Sequence, residues 1–373
     1  MTLNVVCLLP VLGQPRFAKR VAMMQSQGAE VSCLAFDRPY HKGRQPSCKV
    51  KMLGAVPHGR YLARLGVFLR SLWTLRSALK AGPVMYCFGL DMLLLAWLAG
   101  LGLRRTLVLE IGDVREIQTS AGWKGALFRR FDRWLVSRAH LVVFTAEDFQ
   151  EQYYQSWLGC RLPYQVIENK LDQPPALAAD QRAALGDRPL VIGYFGLIRC
   201  AWSVQALAAL ADAYPDDIQV RVAGYSLLPE DALAGLAERP NVEVTGEYRS
   251  PDDLPRLYGA VDLVWACYAP LTDENWNLRW ARTNRFYEAC AFRRPMIVRA
   301  GSNDGKSTRA YDIGLLVDCD SPDGLVAAFG GVNEARMAQW RRNLDNLDTS
   351  VFAYTDEAAQ LCSAMRKAAE RLG

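Results

Sequence analysis

Histidine is scarce in this 373-residue chain, with three in all, and the ten cysteines follow neither metal nor disulfide spacing. His41, His58 and His140 stand in no recognisable site motif, so a histidine base has no candidate. Cys7, Cys33, Cys87 and Cys267 lie inside apolar runs, the usage of a small hydrophobe in a reduced, cytoplasmic protein. The opening MTLNVVCLLPVLG has no basic stretch and no small-residue cleavage site, so it reads as a first strand and not a signal peptide. Low-complexity segments, coiled-coil repeats and recognised nucleic-acid-binding motifs are absent. One apolar run approaches membrane-spanning length: residues 84–103 carry a single charge, Asp91, and are followed by Arg104 and Arg105. The flanking rhythm favours a short buried strand, a turn at Gly89 and a buried helix over 90–101, with Asp91 in the first turn where a carboxylate suits the dipole.

What is present is an ordinary globular composition, 51% apolar and 22% charged, in a chain long enough for two domains. The net charge of +5 is unevenly spread. Residues 1–172 hold 23 Lys and Arg against 12 Asp and Glu, leaving 21 against 27 for the remainder. The first half should attract anions and the second should not.

Strand-like runs fall at residues 4–9, 30–36, 84–88, 107–111, 141–145 and 165–168. Helical patterns occupy 16–27, 60–80, 90–101, 122–138 and 146–157 between them. A Pro-, Ala- and Asp-rich stretch follows, and the alternation then restarts with strands at 190–195, 219–224, 242–245, 263–267, 296–299 and 315–317. Helices of this half are expected at 204–213, 229–237, 253–260, 282–292 and 323–329. Such alternation predicts two α/β domains with open parallel sheets. The divisions are 1–172, a linker at 173–189, a second domain at 190–350, and a last helix in 351–373 returning to the first domain.

The stretch from Asn241 to Asp318 carries the most specific pattern. Strand, turn at Gly246, helix and strand are followed by RTNRFYEACAFRRPMIV, then AGSNDGKS and GLLVDCD. This succession resembles the nucleotide-sugar domain of the group 1 glycosyltransferases, glycosyltransferase family 4, whose GT-B fold sets two Rossmann-like domains facing a central cleft. The resemblance spans most of the chain.

The resemblance implies a nucleoside-diphosphate sugar as donor substrate, no cofactor and no metal. It implies that Glu288 accepts both ribose hydroxyl hydrogens, preceded by Asn284 and Arg285 at minus four and minus three. A helical carboxylate at the carboxyl edge of a parallel sheet suits that task, and pairing with Arg282 or Arg285 is the alternative. Arg199, after the first strand of the second half, resembles the family's cation for the leaving diphosphate. Arg285 and Lys306 are further candidates, and the turns at Gly196 and Gly224 complete the donor side. The family's earlier Glu, eight positions before the ribose Glu, is replaced by Trp280. Sugar hydroxyls then fall to backbone amides and the polar segment 273–277.

On the acceptor side Asp113 in LVLEIGDVREI occupies the place of the family's Asp after a strand, with Gly112 where many members have His. Asp113 is the candidate base, Glu116 the second, and a strand-end or helix-cap role is the alternative. Gly13 is the first-strand turn that admits a phosphate or acceptor.

The helix at 60–80 places Tyr61, Leu65, Phe68, Leu72, Leu75 and Leu79 on one face, with Arg60, Arg64, Ser71 and Thr74 opposite. The helix at 122–138 sets Trp123, Leu127, Phe131 and Trp134 beside Lys124, Arg129, Arg130 and Arg133. Both apolar faces are expected to pack on the sheet, with the cations turned to an anionic membrane or a pyrophosphate-lipid acceptor. The function expected is transfer, with retention, to a lipid-linked saccharide or related glycan at the inner face of the plasma membrane, in polysaccharide or glycolipid synthesis. A sugar-nucleotide 2-epimerase and a non-catalytic subunit of a membrane glycan synthase are the alternatives.

Overall fold

The computed structural model describes residues 2–37, 45–56, 61–82, 84–177, 188–273 and 275–371. The chain divides into two units, Met1–Asn169 with Thr355–Gly373, and Lys170–Tyr354. His41, His58, Arg60 and most of the expected linker lie outside the described residues.

The first unit contains strands β1 (Asn4–Leu9), β2 (Glu30–Asp37), β3 (Lys49–Ala55), β4 (Val84–Phe88), β5 (Thr106–Ile111), β6 (Leu141–Phe144) and β7 (Tyr164–Val166). Its helices are α1 (Pro15–Ser26), α2 (Tyr61–Lys80), α3 (Leu90–Ala99), α4 (Glu116–Thr119) and α5 (Trp123–Val136), with a π-helix at Phe149–Trp157. The seven strands are parallel in the order β3-β2-β1-β4-β5-β6-β7. Strand order reverses between β1 and β4, so the loops after these two strands diverge at the carboxyl edge and leave a crevice there. Gly13 and Gly89, with φ of 92° and 96°, make the two turns.

The near-spanning apolar run resolves into β4 and α3, with Asp91 in the first turn of α3. Among the described residues no helix is long and apolar enough to cross a membrane. β3 is the strand that periodicity missed; it lies at the sheet edge, and its residues are half-buried or exposed. All ten cysteines are free, seven of them buried, and the Cys33 and Cys48 thiols touch at 3.3 Å.

The second unit has strands β8 (Leu190–Phe195), β9 (Ile218–Ala223), β10 (Val242–Val244), β11 (Leu263–Ala266), β12 (Met296–Arg299) and β13 (Gly314–Val317). They too are parallel, in the order β10-β9-β8-β11-β12-β13, and the reversal lies between β8 and β11. Its helices are α6 (Ala201–Ala213), α7 (Glu230–Ala237), α8 (Leu254–Gly259), α9 (Trp276–Trp280), α10 (Asn284–Ala291), α11 (Asn303–Tyr311), α12 (Pro322–Phe329) and α13 (Glu334–Asp345). Two apolar cores cover the sheet, one around Tyr258, Phe286 and Tyr287, the other around Trp265, Leu207 and Trp340. α14 (Glu357–Glu370) returns to the first unit and packs on α1, β5 and β6.

α5 does not bury the face its sequence suggested. Gly125, Asp132, Leu135 and Val136 face inward, while Trp123 is 72% exposed and Leu127 62%, and Phe131 and Trp134 are also exposed. The inward face is held by polar bonds: Asp132 accepts from Gln118 at 2.7 Å, Tyr153 at 3.0 Å and Tyr154 at 3.3 Å. On α2, Leu75 and Leu79 are buried as expected. Ser71 is buried too, donating to the Phe68 carbonyl, while Trp73 is 82% exposed.

Candidate functional site

In the second unit the carboxyl ends of the central strands are drawn together by glycine turns. The Gly196 amide donates to the Ala223 carbonyl at 2.9 Å, and the Gly224 amide to the Gly246 carbonyl at 2.7 Å. Gly196 and Gly224 have φ of 105° and 143°, and a Cβ on Gly224 would overlap the Gly196 carbonyl. Only glycine permits both the backbone geometry and the close approach.

Arg285, buried in the first turn of α10, spans the β8/β11 reversal. It donates to the carbonyls of Phe195 and Leu197 and, from Nη1, to the Tyr268 hydroxyl at 2.6 Å. Its guanidinium also lies over the Tyr194 ring at 4.8 Å. Arg285 therefore fixes the Gly196 turn through its own donors.

One turn along α10, Glu288 is half-buried and its Oε2 accepts from the Tyr258 hydroxyl at 2.6 Å. Burial, and then the Glu288 charge, push the Tyr258 phenol well above its ordinary range, so it remains a donor to the carboxylate. Arg282, one of the alternative partners for Glu288, donates to Asn303 at 2.5 Å and Ser307 at 2.7 Å on α11. Thr283 caps α10 and donates to the buried Asp304 at 2.7 Å. Asn284 is exposed at the start of the helix.

Arg199, after β8, and Lys306 are exposed. The AGSNDGKS stretch, read as a loop, is a turn at Gly301 followed by α11, with Ser302 as its cap, so Lys306 belongs to a helix. Trp280 is buried and packs against Trp276 at 5.0 Å, leaving an aromatic pair where the family's earlier Glu would stand.

In the first unit Asp113 is exposed just beyond β5, and Glu116 is exposed in the first turn of α4. His140 is structural: its Nδ1 accepts from the Leu107 amide at 3.0 Å, and burial holds its pKa below the usual value.

Sequence reasoning missed the cluster beneath these residues. Glu110 on β5 is fully buried and ion-paired with Arg16 at 3.3 Å and Arg20 at 3.0 Å, and it accepts from the Tyr86 hydroxyl at 2.5 Å. The available signal was a lone carboxylate inside the apolar strand LVLEI, which a buried parallel strand does not hold without partners.

Residues 14–170 match the profile of the Glycosyl transferase 4-like domain. Succinoglycan biosynthesis protein ExoL of Rhizobium meliloti (strain 1021) is 25% identical, the match covering 88% of this chain and 84% of that protein. Among solved structures, sucrose-phosphate synthase from Thermosynechococcus elongatus superposes with a TM-score of 0.76 at 16% identity, over 98% of both chains. Anabaena HepE in complex with UDP-glucose gives 0.67 at 17% identity, over 99% of both. With two reversed parallel sheets, glycine turns at their carboxyl edges and these matches, the first unit carries a Glycosyl transferase 4-like domain and the whole chain has the GT-B fold of the glycosyltransferases it superposes on.

Proposed function

We propose that the protein transfers a sugar from a nucleoside-diphosphate donor to a lipid-linked saccharide in polysaccharide or glycolipid assembly, at the cytoplasmic face of a membrane. The observation that carries the reading is the Glu288 carboxylate at the carboxyl edge of the second sheet, steadied by Tyr258 beside the turn that Arg285 holds. A carboxylate has about four lone-pair directions, enough to accept from Tyr258 and from the hydroxyls of a ribose diol together. Arg199 and Lys306 would neutralise the departing diphosphate, with Arg285 keeping the Gly196 turn open to it. Asp113 would take or orient the acceptor hydroxyl proton. The names of ExoL (succinoglycan biosynthesis) and of HepE bound to UDP-glucose support the substrate classes.

The membrane assignment is supported by α5 and the end of α3. Trp123, Leu127 and Phe131 are exposed, Trp97 meets Trp134 at 5.1 Å, and Arg138 lies over the Trp134 ring at 4.0 Å. Lys124, Arg130 and Arg133 surround these rings, so aromatic insertion and attraction to anionic headgroups act together.

Thermal unfolding with a panel of UDP-, GDP- and other nucleoside-diphosphate sugars tests the function. One class should raise the midpoint for the wild type and not for Glu288→Ala. A panel with no response would refute the donor assignment.

A further inference from the structure

Arg16 sits in the first turn of α1, directly after the Gly13 turn and at the carboxyl edge of the first sheet. Its Nε faces Glu110 Oε1 at 3.3 Å, while Glu110 Oε2 is taken by Arg20 Nε at 3.0 Å and by Tyr86. Arg20 is fully buried and spends further donors on the Ile167 carbonyl and Met23 Sδ. One counter-charge suffices for one buried carboxylate, and Arg20 supplies it. The second guanidinium is surplus, and its side chain is 17% exposed against 0% for Arg20. The excess positive charge therefore surfaces at Arg16.

Two further facts concern the outer end of Arg16. Its Nη1 and Nη2 hydrogen-bond to no described residue. The guanidinium also rests on Gly112, where a built Cβ would overlap Nη1. The absence of a side chain at 112 thus makes room for the guanidinium beside Asp113.

We propose that Arg16 binds a substrate phosphoryl group in the first unit, with Glu110 as the positioning residue and Gly112 as the seat. Glu110 holds the Nε side by an ion pair at 3.3 Å, and the two Nη groups over Gly112 are the fork that can meet two oxygens of one phosphate. That the phosphate belongs to a glycosyl-transfer substrate rests on the function proposed above; the anion site itself does not. The phosphate is assigned to the diphosphate of a lipid-linked acceptor.

Calorimetric titration of the full chain with inorganic pyrophosphate, alone and with saturating UDP or GDP, tests this. If the phosphate is the acceptor's, pyrophosphate still binds the nucleotide-loaded wild type, and Arg16→Gln and Gly112→Ala each weaken that binding tenfold or more. Pyrophosphate that nucleotide displaces, and that both variants bind as the wild type does, would lie in the second unit and overturn the assignment. Arg16→Lys should recover part of the affinity, and Arg336→Gln on α13 should change nothing. Gly112→Ala retains every charge of the cluster and guards against a folding defect in Arg16→Gln. Wild-type affinity for both ligands in both variants, or no pyrophosphate binding by the wild type under either condition, would overturn the proposal. A wild type that binds pyrophosphate but no nucleotide would instead count against the donor assignment alone.

Discussion

Tyr258 donates its hydroxyl to Glu288 across 2.6 Å, joining α8 to the helix that carries the candidate ribose carboxylate. The bond fixes one carboxylate oxygen and with it the rotamer of the side chain. Removing the hydroxyl in Tyr258→Phe keeps the ring in the core and frees the carboxylate to rotate. We expect donor affinity to fall about three- to tenfold, a fraction of the worth of one hydrogen bond to a charged group because this bond only positions the carboxylate, as measured by calorimetry. Glu288→Ala should lose considerably more.

Asp113→Asn should lower turnover by about a hundredfold or more while donor affinity stays within a factor of two, since a group acting on the acceptor proton contributes to the transition state. Proton NMR of the product's anomeric signal would check retention in the same experiment.

Asp132 gives a pH signature. Burial pushes its carboxyl up to about 6, against the hydrogen bonds from Gln118, Tyr153 and Tyr154 that lower it. Between about pH 4 and 6 the folded chain holds a proton that the unfolded chain has released, so this contribution to stability falls as pH rises and is spent above about 6. Asp132→Asn, which cannot ionise, should gain on the wild type by about 2–3 kcal/mol from pH 4.5 to 7 in chemical denaturation.

Arg20→Met should be severe. It leaves the buried Glu110 with the Tyr86 hydroxyl and the longer pairing to Arg16, and the loss should be about 3–5 kcal/mol by denaturant midpoint. The paired change Arg20→Met with Glu110→Gln should recover much of it.

Trp123→Ser with Leu127→Ser should weaken sedimentation with phosphatidylglycerol vesicles at least fivefold without shifting the unfolding midpoint, because both side chains are exposed. Binding of the wild type should fall as salt rises, and vesicles of neutral lipid alone should bind poorly.

Most strands were legible because β1, β4, β8 and β12 are continuous apolar runs, buried on both faces, and no other reading suits that pattern. Edge strand β3 escaped because KVKMLGA lacks a buried face to imprint a period. In α5 periodicity found two faces but misjudged which one meets water, since the inward face is built from Gly125 and the hydrogen-bonded Asp132. Glu288 is a candidate because of its sequence neighbourhood, whereas Arg16 depends on Gly112 and Glu110, nearly a hundred residues away in the chain. A contact of that range leaves no local trace.

The return of α14 to the first unit sets an order on biosynthesis. Its Leu361, Cys362 and Met365 are buried, and it lies along α1, β5 and β6, which leave the ribosome about 210 to 340 residues earlier. The first unit must therefore wait, one flank uncovered, until α14 emerges, and a frameshift shortly before α14 would damage the part translated first.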